Sequence, residues 1–294
     1  MHSTLTHPVS ADALTDHAHV HACLNCGHSV PDRYCGRCGQ DAHHTHRLTL
    51  KDLPHDVLHS IWHVDRGILY TLNTMLRRPG LTIRAYLAGK RVDHFRPLSL
   101  LFMITGLYAL LWAVLHLEML PPRDPSVPEA VWQMQQTSNR FFMKYLSWCY
   151  VAMVPVWALF ARWFLRRGGY NYAECLIIVS FITAILNFFA LLYLPVLYVY
   201  SGKPQISTAS LVFMVPVFAY ATWAYASLLK HTGLRLAGRL WRGFMTYLLG
   251  YLTCVAVIVV LTYALNWSTF KVAIKQEMQQ KQAHQAQPTT PQPR

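Results

Sequence analysis

Four cysteines within residues 23–40 (CLNCGHSVPDRYCGRCGQ) have the spacing in this chain that points most directly to chemistry. They form two CxxC pairs, Cys23 with Cys26 and Cys35 with Cys38, and a glycine follows each pair. Two such pairs can supply four thiolates to one ion, and tetrahedral Zn²⁺ is the usual cation for that ligand set. Because four thiolates leave no open coordination position, we expect a structural site rather than a catalytic one.

Zinc competes with three other uses of these cysteines. Two disulfides would require an oxidising compartment, whereas the charge pattern described below predicts a cytoplasmic location. A redox CxxC of the thioredoxin type would require a βαβ context. An iron site of the rubredoxin type uses the same four thiolates, so the choice between zinc and iron stays open. The expected cofactor is structural Zn²⁺, whose binding would fold a segment too short to form its own core.

Histidines on both sides of the cysteine pairs are a second set of potential ligands. Because four thiolates already complete a tetrahedral shell, we expect these histidines to be solvated, with a weak metal-binding tail as the alternative. The flanking histidines are His17, His19, His21, His43, His44 and His46. The remaining cysteines lie in or beside apolar runs and are expected to pack rather than react: Cys149, Cys175 and Cys254.

The composition of the 294-residue chain indicates an integral membrane protein. Hydrophobic residues make up 53% and charged residues only 13%, whereas average proteins carry about 25% charged residues. Five apolar runs are each long enough to cross a hydrocarbon core of about 30 Å as a helix. They lie near residues 98–117, 146–165, 175–198, 211–229 and 244–265. The predicted fold class is an all-α integral membrane protein with about five transmembrane helices, preceded by a small zinc ribbon and an amphipathic cytoplasmic helix.

The segments around the apolar runs divide the chain further. We expect a disordered histidine-containing tail (1–22), the zinc ribbon (23–40), an amphipathic and basic juxtamembrane region (50–97), a transmembrane bundle (98–266) and a polar tail (267–294). The first residues carry no apolar stretch typical of a cleavable signal peptide, so an internal segment is expected to direct insertion.

The juxtamembrane region combines an apolar periodicity with clustered cations. Apolar residues recur every three or four positions from Leu50 to Leu76, which predicts an amphipathic helix that ends at the RRPG run, residues 77–80. Three interpretations remain for the cations: a topology anchor, a binding site for anionic lipid headgroups, or a site for a phosphate-bearing substrate. The candidate lipid or partner contacts are Arg77, Arg78, Arg84, Tyr86, Lys90, Arg91 and Arg96.

The distribution of lysine and arginine predicts the orientation. With five spans, the N-terminal segment and the loops after the second and fourth spans share one side, and that side holds most of the 26 basic residues. Since basic loops stay on the cytoplasmic side, we expect the N-terminus in the cytoplasm and the C-terminus outside.

Residues 65–97 carry the block PGxTIRxYxxGKR at positions 79–91. Together with CxxCG…CxxCGQ, which extends through Gln40, and a Y-x-E motif at Tyr172 and Glu174, this block resembles a family of bacterial membrane proteins described only as a domain of unknown function. The resemblance implies an inner-membrane location and a ribbon, and it implies no known activity.

Few titratable groups occur in the apolar runs, which favours a non-enzymatic protein. The polar stripe of Ser180, Thr183 and Asn187 is more typical of a hydrogen-bond seam between helices than of a substrate path. Our main hypothesis is a protein whose ribbon and basic segment bind a cytoplasmic protein partner or anionic membrane lipid. The alternatives are a small-molecule or lipid transporter or channel-like protein and, less favoured, a lipid-headgroup enzyme that uses Arg84, Lys90, Arg91 and Asp93. A homo-oligomer is left open, and no nucleic acid is expected because the positive charge lies in short clusters beside apolar runs.

Overall fold

The computed structural model describes the cysteine pairs, the basic block and all five apolar runs. The described residues are 21–41, 47–50, 67–265 without 126 and 128, and scattered positions from 267 to 279. Most of the amphipathic helix predicted over residues 50–76, and nearly all of the N-terminal tail, lie outside them.

A short antiparallel hairpin precedes a series of helices in the described chain. The elements are β1 His21–Ala22, β2 Ser29–Val30, α1 Gly67–Arg77, α2 Pro79–Leu87, α3 Pro97–Leu115, α4 Glu129–Phe164, α5 Tyr172–Tyr200, α6 Ile206–Leu228 and α7 Leu236–Leu265. Two 3-10 turns, Arg166–Gly168 and Lys230–Thr232, follow α4 and α6. The helical class predicted from the sequence is confirmed for this part of the chain.

Four of the described helices, α3, α5, α6 and α7, are long and apolar enough to cross a membrane. These helices confirm the prediction of a multi-pass membrane protein. The fifth predicted span falls on α4, whose apolar part, Trp148–Phe164, is shorter than the other four. Helix α4 itself has 36 residues and begins at Glu129, so its polar first half extends well beyond the predicted run at 146–165. A fifth crossing therefore depends on the apolar half of one long helix.

The RRPG run separates α1 from α2, so α1 ends at Arg77 as the sequence predicts and a second short helix follows from Pro79. Arg78 leaves the helical region with φ −145° and ψ 58°, and Pro79 then occupies the first turn of α2. Proline disfavours the helical conformation in the residue before it and is itself tolerated at a helix start. After α2, Gly89 takes a φ of +98°, which turns the chain towards α3.

Helix α5 begins with a reciprocal pair of side-chain caps. The Asn171 side chain accepts the Glu174 N–H at 2.8 Å, and the Glu174 carboxylate accepts the Asn171 N–H at 2.7 Å. These bonds satisfy amide groups that a helix start otherwise leaves without partners, and the carboxylate lies at the positive end of the helix dipole.

Hydrogen bonds between connections define two ends of the helical bundle. At one end, the Tyr170 hydroxyl after α4 donates to the Leu228 carbonyl of α6 at 3.2 Å, which brings both 3-10 turns together. At the other end, the Gly202 N–H after α5 donates to the carbonyl of Glu118 after α3 at 3.0 Å. We call the first the basic end, because α1, α2 and both turns place these cations there: Arg77, Arg78, Arg84, Lys90, Arg91, Arg166, Arg167 and Lys230. The second is the opposite end.

Helix α2 is held against the C-terminus of α6 by a very close backbone approach. A β-carbon built on Gly80 would lie 2.5 Å from the carbonyl carbon and oxygen of Ser227, a separation that real β-carbons do not show. The Arg84 guanidinium donates to the Ser227 carbonyl at 2.7 Å and to the Leu228 carbonyl at 3.2 Å. A cation at a helix C-terminus is favourable because the last carbonyls have no partners within the helix. Gly80 and Arg84 together anchor α2 to the bundle.

We predict that Gly80→Ala destabilises the protein, because the new methyl group collides with the backbone of Ser227. Overpacking of this kind costs about 1–3 kcal/mol, measured as the free energy of unfolding of the full chain in detergent. Gly106→Ala in α3 is the matched control, since nothing lies within 4 Å of its added carbon. Equal loss in both variants, or none in Gly80→Ala, would contradict this packing.

Candidate functional site

The sulfur atoms of the two CxxC pairs converge. The Sγ atoms of Cys23, Cys26, Cys35 and Cys38 all lie within 4.8 Å of one another. Cys23 and Cys38 are 3.5 Å apart, and Cys26 and Cys35 are 3.6 Å apart, compared with about 2.05 Å in a disulfide. Four sulfurs at about 2.3 Å from one tetrahedral ion would lie roughly 3.8 Å from each other. The cluster therefore fits a four-thiolate metal centre.

Each CxxC pair and the glycine after it form a turn, here called a knuckle, and the two knuckles have the same backbone structure. The Gly27 N–H donates to the Cys23 carbonyl at 2.8 Å, and the Gly39 N–H donates to the Cys35 carbonyl at 2.8 Å. Each of these glycines has a φ of +75°, a conformation that side chains disfavour. The backbone conformation at these two positions therefore explains why a glycine follows each CxxC pair. The repeated turn lets both pairs face a common centre.

The thiols differ in acidity before a cation binds. The N–H groups of Cys38 and Arg37 lower the pKa of the Cys35 thiol to about 7, whereas burial raises the pKa of the Cys38 thiol to about 12. A bound cation would ionise both, because thiolates rather than thiols coordinate metals. Metal binding at this cluster is therefore expected to release protons.

Gln40 attaches the cysteine module, residues 23–40, to the basic block at residues 79–91. This side chain is only 4% exposed, and its Nε2 donates to the Gly89 carbonyl at 2.9 Å. Its Oε1 accepts the Arg91 N–H at 3.4 Å. The amide thus pairs with the backbone on both sides of Lys90, and both of its polar atoms are satisfied where burial would otherwise penalise them. The residue directly after the second knuckle fixes the ribbon beside α2.

A second attachment joins the chain after the cysteine module to the start of α5. The Arg47 guanidinium donates to both carboxylate oxygens of Glu174, at 2.8 and 2.9 Å, and to the Gly169 carbonyl at 2.7 Å. The Asn171 amide donates to the Leu48 carbonyl at 3.0 Å, and Leu48 is buried in the main core. Because the Glu174 carboxylate is buried, the two-pronged pairing with Arg47 satisfies a charge that would otherwise be costly.

Several of the predicted lipid or partner contacts are engaged inside the protein. Arg84 binds the end of α6, as described above. Tyr86 is buried, and its ring lies edge-on to Phe181 with centroids 5.2 Å apart. The Arg91 guanidinium lies 5.7 Å from the centroid of the Tyr86 ring. Arg96 is the N-cap residue of α3. These positions connect the juxtamembrane block to the bundle.

The other predicted cations, Arg77, Arg78 and Lys90, line an open groove of about 500 Å³. Asn25 of the ribbon also lines this groove, so the groove lies between the cysteine module and α1 and α2. Its remaining lining residues include Asn73, Thr74, Thr82, Asp93 and His94. Three cations and several neutral donors against a single carboxylate favour an anionic ligand.

His94 lies at the wall of this groove between two tyrosine rings. Its ring centroid is 5.3 Å from that of Tyr70 and 6.4 Å from that of Tyr86. Burial lowers the pKa of His94, and the nearby Asp93 opposes this shift. The imidazole is therefore expected to be neutral near pH 7, so the positive charge of the groove comes from Arg77, Arg78 and Lys90.

Comparison with known proteins gives one match. A sequence profile of the family described as "Protein of unknown function (DUF3667)" matches residues 65–109. These residues comprise α1, α2, the PGLTIRAYLAGKR block and the first two-thirds of α3, which supports the resemblance to a family of unknown function. No curated protein and no solved structure matches the chain.

Sequence reasoning identified the four cysteines and missed what holds their module in place. Gln40 stood directly after the second knuckle, so its position was the one available signal. Arg47 gave none, because its partner Glu174 lies 127 residues further along the chain. The tertiary structure alone brings those two together.

We predict that the purified full chain contains one zinc ion per molecule, measured by inductively coupled plasma mass spectrometry. Cys38→Ser should lose most of it, because three thiolates leave the tetrahedral shell incomplete. Cys254→Ser, which changes a buried cysteine of α7 outside the cluster, should keep it. Stoichiometric iron, seen also as visible thiolate-to-iron charge-transfer absorbance, would contradict zinc, and metal retention in Cys38→Ser would contradict the site.

We predict that Gln40→Ala loosens the ribbon from α2 without removing its metal, since Gln40 contributes no ligand atom. Hydrogen–deuterium exchange in residues 87–91 should increase, because the Arg91 N–H loses its acceptor. Asp32→Ala, at an exposed position of the same module, is the control. Unchanged exchange in Gln40→Ala would show that the amide does not hold the module.

Proposed function

We propose that this chain is a non-enzymatic, multi-pass protein of the bacterial inner membrane that binds anionic lipid headgroups at its cytoplasmic surface. The binding site is the groove between the ribbon and helices α1 and α2. The observation that carries the proposal is the presence of Arg77, Arg78 and Lys90 in one groove that Asn25 of the ribbon also lines.

The groove lies where a lipid phosphate would be within reach. Lys90 precedes the first apolar helix, α3, by only a short turn, so the groove adjoins the level at which the chain enters a membrane. Each basic residue near an anionic membrane surface contributes about 1 kcal/mol of attraction. Because Arg84 is occupied at the end of α6, Arg77, Arg78 and Lys90 are the cations with which the groove would bind an external phosphate.

The distribution of charge supports a cytoplasmic position for this site. Both 3-10 turns and the juxtamembrane helices place their cations at the basic end, whereas the opposite end carries few, among them Arg140 and Lys203. Such an asymmetry favours the cytoplasm for the basic end. The same location favours reduced cysteines and therefore a metal centre rather than disulfides.

In this proposal the metal centre is structural. Zn²⁺ held by four thiolates keeps the short ribbon folded, and Gln40 fixes the folded ribbon against Gly89. The ribbon then supplies one wall of the groove instead of taking part in chemistry. This role explains why a closed metal site stands beside a basic juxtamembrane segment.

We predict that the full chain in neutral detergent binds dihexanoyl phosphatidylglycerol, measured by isothermal titration calorimetry, and binds the zwitterionic phosphatidylcholine analogue at least tenfold more weakly. Replacing Arg77, Arg78 and Lys90 together by glutamine should weaken phosphatidylglycerol binding at least tenfold, because about 3 kcal/mol of attraction is removed. A parallel titration with inorganic phosphate separates recognition of a lipid from recognition of free phosphate.

The matched control replaces Arg166, Arg167 and Lys230 by glutamine. It removes the same charge from the same end but leaves the groove intact, so binding should change less than threefold. Equal weakening in both variants would mean that the general charge of the basic end, and not the groove, attracts the lipid. Absence of phosphatidylglycerol binding would overturn the proposal and favour a protein partner for the ribbon.

A further inference from the structure

The bundle contains a second candidate site at its opposite end, far from the groove. A cavity of about 450 Å³ is lined there by Tyr108 and Trp112 of α3, by Glu118 after α3, and by Gln136 and Arg140 of α4, among other residues. Ligand pockets for small molecules usually occupy about 300–1,000 Å³ and combine apolar walls with a few polar groups. This cavity has both properties.

A smaller cavity of about 160 Å³ lies beside it, among apolar side chains of the bundle. The two adjoin because Tyr108 and Trp112 line both. The inner cavity is walled by aromatic side chains, which also include Tyr150, Trp157, Phe213, Tyr247 and Tyr251. Its volume corresponds to roughly five water molecules at about 30 Å³ each. That space is sufficient for the end of one hydrocarbon chain and too small for two.

One polar residue in the inner cavity has an unused hydrogen-bond acceptor. The Asn187 amide donates to the Thr105 hydroxyl at 2.6 Å, whereas its carbonyl oxygen accepts no hydrogen bond from any described residue. Asn187, Thr105 and Thr183 all line this cavity. Within the polar stripe predicted from the sequence, Asn187 therefore forms the hydrogen bond between α5 and α3, whereas the Ser180 hydroxyl donates to the Leu176 carbonyl of its own helix at 2.7 Å.

The outer cavity presents charges of both signs. Neither the Glu118 carboxylate nor the Arg140 guanidinium forms an ion pair with another described residue. Glu118 is held in place through its backbone, because its N–H donates to the Ser201 hydroxyl at 2.8 Å and its carbonyl accepts the Gly202 N–H. A ligand head with one cationic and one anionic group would match this pair.

We propose that these two cavities together bind a single-chain amphiphile with a zwitterionic headgroup, such as a lysophospholipid that carries an amine. The hydrocarbon chain passes Tyr108 and Trp112 and ends beside Asn187. The amine faces Glu118 and the phosphate faces Arg140. This site is independent of the groove at the basic end, since the two share no lining residue.

The test uses the full chain in detergent and tritiated lysophosphatidylethanolamine, with binding followed by scintillation proximity. Saturable binding is expected in the wild type. Ala190→Trp, which fills the inner cavity, should weaken it at least tenfold. Leu192→Trp changes a 62% exposed position of the same helix and should leave it within twofold of the wild type. Ala190→Leu provides a milder filling of the cavity if the tryptophan variant is not monodisperse.

Separate variants and a competing lipid test the assignment of the headgroup. Glu118→Gln and Arg140→Gln should each weaken binding at least threefold, whereas Lys203→Gln, an exposed cation at the same end, should not. Lysophosphatidylglycerol, which lacks the amine, should compete at least fivefold less well than unlabelled lysophosphatidylethanolamine. Non-saturable binding, or equal loss in Ala190→Trp and Leu192→Trp, would overturn the site. Equal competition by the two lipids would overturn the zwitterionic head.

These results are separable from those on the basic groove. The Arg77, Arg78 and Lys90 variant should bind lysophosphatidylethanolamine as the wild type does. Ala190→Trp should bind dihexanoyl phosphatidylglycerol unchanged. If either substitution set abolished both activities, the two-site description would be wrong.

Discussion

The contact between α2 and the C-terminus of α6 is the interaction on which the basic end depends. Gly80 allows the two backbones to touch, and Arg84 donates to the last two carbonyl groups of α6, at the negative end of the helix dipole. The turn after α2 is then in position to receive Gln40. The ribbon is therefore attached to α6 through α2. The basic block, which the sequence alone suggests is a lipid-binding or topology signal, therefore also joins the ribbon to the helical bundle.

Two kinds of cation occupy the same short block, and their roles follow from what surrounds them. Arg84 and Arg91 lie against carbonyl groups or an aromatic ring, so their interactions are internal. Arg77, Arg78 and Lys90 line a groove. Charge alone does not distinguish the two kinds, because all five are basic residues within about four turns of helix. The surroundings in the folded protein, such as the Ser227 and Leu228 carbonyls beside Arg84, distinguish them instead.

The opposite end of the bundle uses a different physical principle. Net charge would contribute little to ligand binding in this cavity, because Glu118 and Arg140 carry opposite charges. The aromatic side chains of the adjoining inner cavity would contribute more. Aromatic side chains offer large apolar surfaces with few rotatable bonds. The groove at the basic end would recognise anionic phosphate, whereas the cavity would select an amphiphile by the fit of its chain and by paired charges.

The sequence could predict features that depend on neighbouring residues. Such features are the two CxxC pairs with their glycines, the apolar runs and the break at RRPG, each of which depends on residues a few positions apart. In the structure the four sulfurs converge and the chain is mostly helical, as the sequence predicts. Of the about five predicted spans, four are confirmed as span-length helices, whereas the apolar part of α4 is shorter than these four. The extension of α4 back to Glu129 was not predicted, because those residues carry no apolar signal. The match of a family profile to residues 65–109 covers the block whose pattern was most specific.

The sequence by itself determined the four clustered cysteines, the membrane class and the basic block, since each depends on residue type and short spacing. The tertiary structure decided which cations remain available, where Gln40 and Arg47 attach, and that Asn187 borders a cavity. These outcomes depend on contacts between residues far apart in the chain, such as Arg47 with Glu174 at a separation of 127. Local spacing carries no information about such pairs, because their geometry exists only after the helices have packed.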